Sequence, residues 1–280
     1  MYRYIRRYNG PIRAAILDWS GTLSDKYVIA PAVVFKEVFE KYKVPISMEE
    51  AREPMGLRKD LHIKALTEMP AIAERWEKVH GSPPTQKDVD MMFKDFVPLQ
   101  VNNLGKYSKL IPGARQAVEC LQKKHGLKIG VTTGFTRAMV DVLLLDAQAQ
   151  GVYPDTTVAG DEFYNGARPK PFMVYKNLDK LDIHPIESVV KVDDTVGGCG
   201  EGLAAGCWVV GVSRYSNYMN INSEEEEAAM SKEEMERRHA KSKEILRNTG
   251  AHYVIDTIAD LPKVVKNINL KMRMGKTPRD

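Results

Sequence analysis

The run Ala14-Ala15-Ile16-Leu17 feeds without a break into Asp18-Trp19-Ser20-Gly21-Thr22. A strand buried on both faces reads as continuous apolar residues, and an acid followed by a Gly-bearing turn marks where it leaves the sheet. In an open α/β sheet, that carboxyl edge is where ligands sit. One such Asp often only caps a turn, but three further segments repeat the pattern. Ile129-Gly130-Val131-Thr132-Thr133-Gly134 ends on hydroxyl residues and Gly. Gly166-Ala167-Arg168-Pro169-Lys170-Pro171 holds a cation in a Pro-stiffened loop before a helix. Val189-Val190-Lys191-Val192-Asp193-Asp194-Thr195 ends on paired carboxylates.

An acid, a threonine, a cation followed by Pro-x-Pro, and a final Asp-Asp resemble, in that order, the four motifs of the haloacid dehalogenase superfamily of phosphotransferases. The resemblance implies a doubly wound, Rossmann-like parallel sheet with an inserted helical cap. It also implies roles. Asp18 is the nucleophile that takes phosphorus as an aspartyl-phosphate. Mg²⁺, a hard cation, is held by Asp18, the backbone carbonyl of Ser20 and Asp194. Thr133, with Gly134 beside it, and Arg168 bind the phosphoryl oxygens and offset developing charge. Thr132 is the alternative hydroxyl, and the sequence separates the two poorly.

Position 20 narrows the chemistry. Most phosphatases of this superfamily place a general acid two residues after the nucleophile; here Ser20 stands there and cannot serve as an acid near neutral pH. The segment from Arg52 to Pro70, with Met55-Gly56-Leu57-Arg58-Lys59-Asp60-Leu61-His62 at its centre, closely resembles the cap region of the phosphonoacetaldehyde hydrolase (phosphonatase) family. So do Asp18-Trp19-Ser20-Gly21-Thr22, Thr132-Thr133-Gly134, Gly166-Ala167-Arg168-Pro169 and Gly250-Ala251-His252, so that the resemblance covers nearly the whole chain. In that family the lysine matching Lys59 forms a Schiff base with the substrate aldehyde, and residues matching His62 and Met55 lie near it. The iminium is an electron sink, so carbon departs as an enamine and no leaving oxygen needs a proton. That fits Ser20.

Lys59 must be neutral to attack a carbonyl, so its pKa has to fall by a few units from about 10.4. Arg58, Lys64 and Arg168 are candidate contributors. His62 lies one turn along the same predicted helix and is the candidate proton shuttle. Several positions depart from the family pattern. A second acid expected one turn after Asp194 is replaced by Gly198, with Asp193 as the candidate compensating ligand and Glu201 as a weaker one. Phe135 stands where some members carry Tyr, and Val28 where some carry Cys.

The periodicities agree with this division. Residues 1–24 and 107–280 read as the catalytic core and residues 25–106 as the helical cap. Within the cap, Ser47-Met48-Glu49-Glu50 and Thr85-Gln86-Lys87-Asp88 have capping-box spacing. Val33, Val34, Val38 and Phe39 form one helical stripe and Ile72, Trp76 and Val79 another. From Pro112 helix and strand alternate, with helices over 113–125 and 136–147, a strand over 127–132, and further strands centred on Val158, Val190, Val209 and Val254. Ser223 to Arg247 reads as one solvated helix with acids first and bases later. Lys271 to Arg279 reads as a frayed basic tail.

At 280 residues, with 43% hydrophobic and 28% charged residues, the chain has the composition of a soluble enzyme with an ample core. A net charge of +4 is too small and dispersed to argue for nucleic acid. The basic, aromatic start, Met1 to Tyr8, precedes no stretch apolar enough for a signal peptide or membrane span and reads as a disordered leader. Cys120, Cys199 and Cys207 lack metal-ligand spacing and point to reduced thiols in the cytoplasm. The expectation is therefore cleavage of phosphonoacetaldehyde to acetaldehyde and phosphate, in 2-aminoethylphosphonate degradation downstream of a transaminase. The family further implies a homodimer through the cap. The alternatives are a generic Mg²⁺-dependent phosphate-ester phosphatase of the same superfamily and a non-catalytic binding relative.

Overall fold

The computed structural model describes residues 8–165 and 168–280. The leader read over Met1 to Tyr8 therefore falls almost wholly outside the described residues, as do Gly166 and Ala167 of the loop motif. Six strands form one parallel sheet: β1 (Ala14–Leu17), β2 (Lys128–Thr133), β3 (Thr156–Ala159), β4 (Val189–Asp193), β5 (Trp208–Val212) and β6 (Tyr253–Ile255). Their spatial order is β3-β2-β1-β4-β5-β6. The chain walks outward from β1 to β3, then returns to the other side of β1 for β4 to β6. The crevice beyond the carboxyl ends of β1, β2 and β4 lies at this reversal, where a doubly wound sheet binds its ligand. The strands centred on Val158, Val190, Val209 and Val254 are all present.

Between β1 and β2 the chain builds a helical cap: α1 (Ile29–Lys41), α2 (Met48–Arg52), α3 (Lys59–Glu68), α4 (Pro70–His80) and α5 (Gln86–Leu104). Both capping boxes form, Ser47 with Glu50 and Thr85 with Asp88. These satisfy backbone N–H groups that the first helical turn leaves unpaired. Val34, Val38 and Phe39 are buried. Phe35 stacks on Phe96 of α5 at 4.5 Å and on the ring of His62 at 3.8 Å. Ile72 and Trp76 are likewise buried, but Val79 is 45% exposed. The stripe on α4 is therefore one turn shorter than its spacing suggests.

The remaining helices are α6 (Ala114–Lys123), α7 (Arg137–Ala149), α8 (Phe172–Leu181), α9 (Val196–Ala205), α10 (Glu224–Ala229), α11 (Lys232–Arg247) and α12 (Leu261–Arg273). Successive strand side chains point to opposite faces, and β1 sorts accordingly. Ala14 and Ile16 pack with Val174 and Leu178 of α8 and Ala205 of α9. Ala15 and Leu17 join the larger core that holds Val118, Leu121, Val140 and Val265 and continues into the cap.

Two sequence expectations need correction. Residues 223–247 form two helices, because Met230 is extended and the Ser231 side chain caps a new helix by accepting from the Glu234 N–H. The basic tail is not frayed through its length. The helix α12 runs to Arg273, and beyond it the carbonyl of Pro278 accepts a 2.8 Å hydrogen bond from His252 Nε2. His252, met in the Gly-Ala-His motif, thus anchors the tail; its Nδ1 accepts from the Val209 N–H at 2.9 Å.

Candidate active site

Strand register sets the site. Leu17 pairs with Val131 on one side and Val192 on the other, so the next residues, Asp18, Thr132 and Asp193, form one row at the carboxyl edge of the sheet. Asp18, Asp193 and Asp194 are all buried, and each offers a carboxylate oxygen within 4.8 Å of the others. Burial pushes the Asp18 carboxyl up, with Arg168 pulling against it. Asp194 is raised well above the ordinary range by burial and by the neighbouring charges of Asp18 and Asp193. Asp193 goes the other way: burial would raise it, but Arg168 and Lys191 outweigh that and hold it low.

Arg168 organises the other side. Its Nη2 donates to Asp18 Oδ1 at 2.6 Å and to the backbone oxygen and Oγ1 of Thr132 at 3.0 and 3.1 Å. The same nitrogen lies 3.1 Å from Asp193 Oδ2, and Nε donates to Glu201 Oε2 at 3.2 Å. Desolvation opposes the cation, but Asp18, Asp193 and Glu201 hold its pKa well above the ordinary value. Lys191, wholly buried, donates to Thr132 Oγ1 and Asp193 Oδ2, each at 2.7 Å. The two hydroxyls left open by the sequence therefore differ in surroundings. Thr132 is tied into this buried network, whereas Thr133 lines the cavity beside Gly134 and accepts from the Phe135 N–H at 3.2 Å.

The carboxylate set fits a hard divalent cation. Asp194 Oδ1 is buried without a hydrogen-bond partner, and a buried acceptor facing two further carboxylates is costly unless something positive fills the gap. Asp193 is more fully engaged, since Thr195 N–H and Oγ1 also donate to its Oδ1 at 3.0 and 2.7 Å. Gly198 explains the departure noted in the sequence: a Cβ there would lie 1.9 Å from the Asp193 carboxyl carbon. Asp193 occupies the space that a side chain at position 198 would need. Glu201 stands apart from the cluster and pairs with Arg168 and Lys191.

The cap supplies the rest of the wall. Lys59 opens α3, is 4% exposed, and lines one cavity together with Asp18, Ser20, Met55, Thr133 and Arg168. Its Nζ sits 4.7 Å from the Phe135 ring centroid and 5.7 Å from that of Phe35. Burial lowers the amine to about 8, with Asp18 pulling it up and Arg168 pushing it further down. Of the three cations considered from sequence, Arg168 alone contributes. Arg58 is turned to Asp60 at 2.6 Å, and Lys64 is half exposed beside Glu68. His62 is wholly buried and held well below its ordinary pKa by burial and by Lys59. Its Nε2 lies 3.0 Å from the Ala51 carbonyl, so a neutral ring donates there and leaves Nδ1 without a partner. His62 packs behind the cavity wall on Phe35 rather than lining it.

Sequence reasoning gave no role to Lys191, Thr195 or Asn217. Lys191 carried a signal, a lone charge inside the apolar run Val189-Val190-Lys191-Val192. Asn217, which donates its backbone N–H to Asp194 Oδ2 at 3.0 Å, carried none, because it sits in an irregular segment just after β5.

Comparison with known proteins gives the family. Residues 12–206 match the family model for haloacid dehalogenase-like hydrolases. The chain is 42% identical over 257 residues to a phosphonoacetaldehyde hydrolase of Bacillus cytotoxicus, covering 92% of this chain and 96% of the relative. It is 41% identical over 268 residues to that of Klebsiella pneumoniae, covering 95% and 99%. A crystal structure of a phosphonoacetaldehyde hydrolase-like protein from Oleispira antarctica superposes with a TM-score of 0.94 at 34% identity, covering 99% of this chain and all of that one. Among the described residues no helix is long and apolar enough to cross a membrane. The chain belongs to the phosphonoacetaldehyde hydrolase family of haloacid dehalogenase-like hydrolases.

Proposed function

We propose that the protein hydrolyses the carbon–phosphorus bond of phosphonoacetaldehyde to acetaldehyde and phosphate. One observation carries the reading: Lys59, a cap residue with its amine lowered to about 8, shares a cavity with Asp18 and Arg168. Neutral Lys59 adds to the aldehyde and, with loss of water, gives an iminium. Asp18 attacks phosphorus, the C–P bond breaks, and its electron pair flows into the iminium to give an enamine. Protonation of the enamine carbon and hydrolysis of the resulting imine release acetaldehyde and free Lys59. A second water hydrolyses the aspartyl-phosphate, so the net reaction consumes one water.

Arg168 and Thr133 hold the phosphoryl oxygens, Gly134 lets them approach, and Met55 packs beside the aldehyde. His62 is neutral with Nδ1 unpartnered but sits behind the cavity wall, so its part as proton relay to Lys59 would be played from there. The carboxylates of Asp18 and Asp194, with the Ser20 carbonyl and in support Asp193, would hold Mg²⁺, which when bound neutralises charge between nucleophile and phosphonate. Ser20 in place of a general acid is consistent with a carbon leaving group. On this reading the enzyme works in cytoplasmic 2-aminoethylphosphonate degradation, after a transaminase, as a homodimer through residues 25–106. Phosphate release from phosphonoacetaldehyde and from p-nitrophenyl phosphate, in wild type and Lys59→Arg, tests it. Loss of only the phosphonate activity in the variant is expected. Ester turnover exceeding phosphonate turnover, unchanged in the variant, would show an ordinary phosphatase.

A further inference from the structure

Arg52 closes the short cap helix α2 and is only 4% exposed. A guanidinium taken out of water usually faces a carboxylate, because burying an unpaired charge is costly. The hydrogen bonds of Arg52 go instead to four neutral acceptors. Nη1 donates to the Tyr27 carbonyl and, at 3.0 Å, to Asn217 Oδ1; Nη2 donates to the Ile221 carbonyl at 2.7 Å; Nε donates to Asn222 Oδ1 at 3.2 Å. Tyr27 belongs to the segment that leads from β1 into the cap, and residues 217–222 belong to the core loop after β5. One cap side chain therefore clasps both the entry to the cap and the core.

The clasp is reciprocal and reaches the site. Asn217 Nδ2 donates to the Arg52 carbonyl at 3.1 Å, while its backbone N–H donates to Asp194 Oδ2 at 3.0 Å. Two residues thus connect the cap to the carboxylate cluster. The entry segment is also under strain. Asp25, Tyr27 and Val28 take φ values of 53°, 64° and 56°, a left-handed conformation that is unfavourable for a tyrosine and more so for a β-branched valine. Such backbone persists where its surroundings hold it, and the Arg52 bond to Tyr27 is one such hold.

We propose that Arg52 is a positioning residue that latches the cap over the site and, through Asn217, ties closure to the placement of Asp194. The proposal rests on the reading that the closed cap is what puts Lys59 beside Asp18. The test is the rate at which a water-soluble succinimidyl ester acylates Lys59, read by peptide mass mapping. Lys78, whose side chain is 70% exposed, is the internal standard, and wholly buried Lys191 reports global unfolding.

In Arg52→Met and in Asn217→Ala, Lys59 labelling relative to Lys78 is expected to rise at least about tenfold, with Lys191 still protected. Arg52→Lys recovers part of the protection. Both loss variants also bind Mg²⁺ more weakly by calorimetry, because the Asn217 backbone N–H that donates to Asp194 is kept but no longer held in place by the Arg52–Asn217 bonds. If Arg52→Met exposes Lys191, Asn217→Ala decides the matter. Lys59 labelling unchanged in Asn217→Ala, with Lys191 protected, overturns the latch. Labelling needs no turnover, so faster labelling in a chain inactive on the phosphonate would sink the functional reading and leave the latch standing.

Discussion

Replacing Lys59 with methionine should stabilise the fold at neutral pH while removing the reactive amine. Burial holds Lys59 at about 8 against an ordinary 10.5, a difference of 10.5 − 8 = 2.5 pH units. The folded value lies below the unfolded one, so the sign is that of a penalty. Below pH 8 both states are charged and the folded state bears the full cost. Between 8 and 10.5 the unfolded chain holds more protons, so stability climbs with pH, and above 10.5 the cost is gone. At about 1.36 kcal/mol per unit, the penalty is about 3 kcal/mol at pH 7 and about 0.8 kcal/mol at pH 10. Methionine keeps an apolar stem against Phe35 and Phe135, where sulfur–aromatic contact is favourable. Loss of the cation–π contact offsets about 1 kcal/mol at pH 7. Urea denaturation of both proteins at pH 7 and pH 10, with a shared m-value, measures the difference. A Lys59→Met protein less stable than wild type at pH 7, or an advantage that does not shrink at pH 10, would refute the reasoning. A stabilising gain from removing a functional group is the signature of a site that trades stability for chemistry.

Gly198→Asp should cost about 1–3 kcal/mol in urea unfolding, since its Cβ would lie 1.9 Å from the Asp193 carboxyl carbon. Adding Asp193→Gly should recover most of that loss. Arg168→Lys keeps the charge but cannot reach Asp18, Thr132 and Glu201 at once, so steady-state phosphate release should fall about 10²–10³-fold. Gly56 has φ of 101°, and a Cβ there would lie 2.8 Å from Thr195 Oγ1 in the cap–core contact. Gly56→Ala should therefore reduce kcat/KM at least about tenfold while shifting Tm by only a few degrees, measured by steady-state assay and thermal melt.

The sheet was legible because each buried strand is a short apolar run, and the site because three of those runs end on the residues that share a row. Asp18, Asp193 and Asp194 needed only strand ends and parallel register, whereas choosing between Thr132 and Thr133 needed the side-chain surroundings. The space behind Gly198 was not legible. Its meaning depends on the direction of the Asp193 side chain, which no spacing encodes. Arg52 was visible as a letter within a conspicuous segment, yet three of its four acceptors lie 165 to 170 residues away. Long-range polar bonds of this kind leave no periodic trace. Local chemistry explains the smaller misses: Ser231 is a second helix cap inside a charged run, and Val79 lies beyond the turn where α4 meets its neighbours. By spacing and composition alone Lys59 would pass for a surface lysine in a polar helix start; the cap-segment resemblance singled it out, and the burial of its amine beside Phe35 and Phe135 is what the sequence does not encode.

The most direct measurement is borohydride reduction in the presence of phosphonoacetaldehyde, followed by peptide mass mapping. The Schiff-base account predicts a reduced two-carbon or phosphonoethyl adduct on Lys59, its yield rising with pH about an inflection near 8, and none on the other lysines. Rapid phosphate release with no adduct on Lys59 would contradict it.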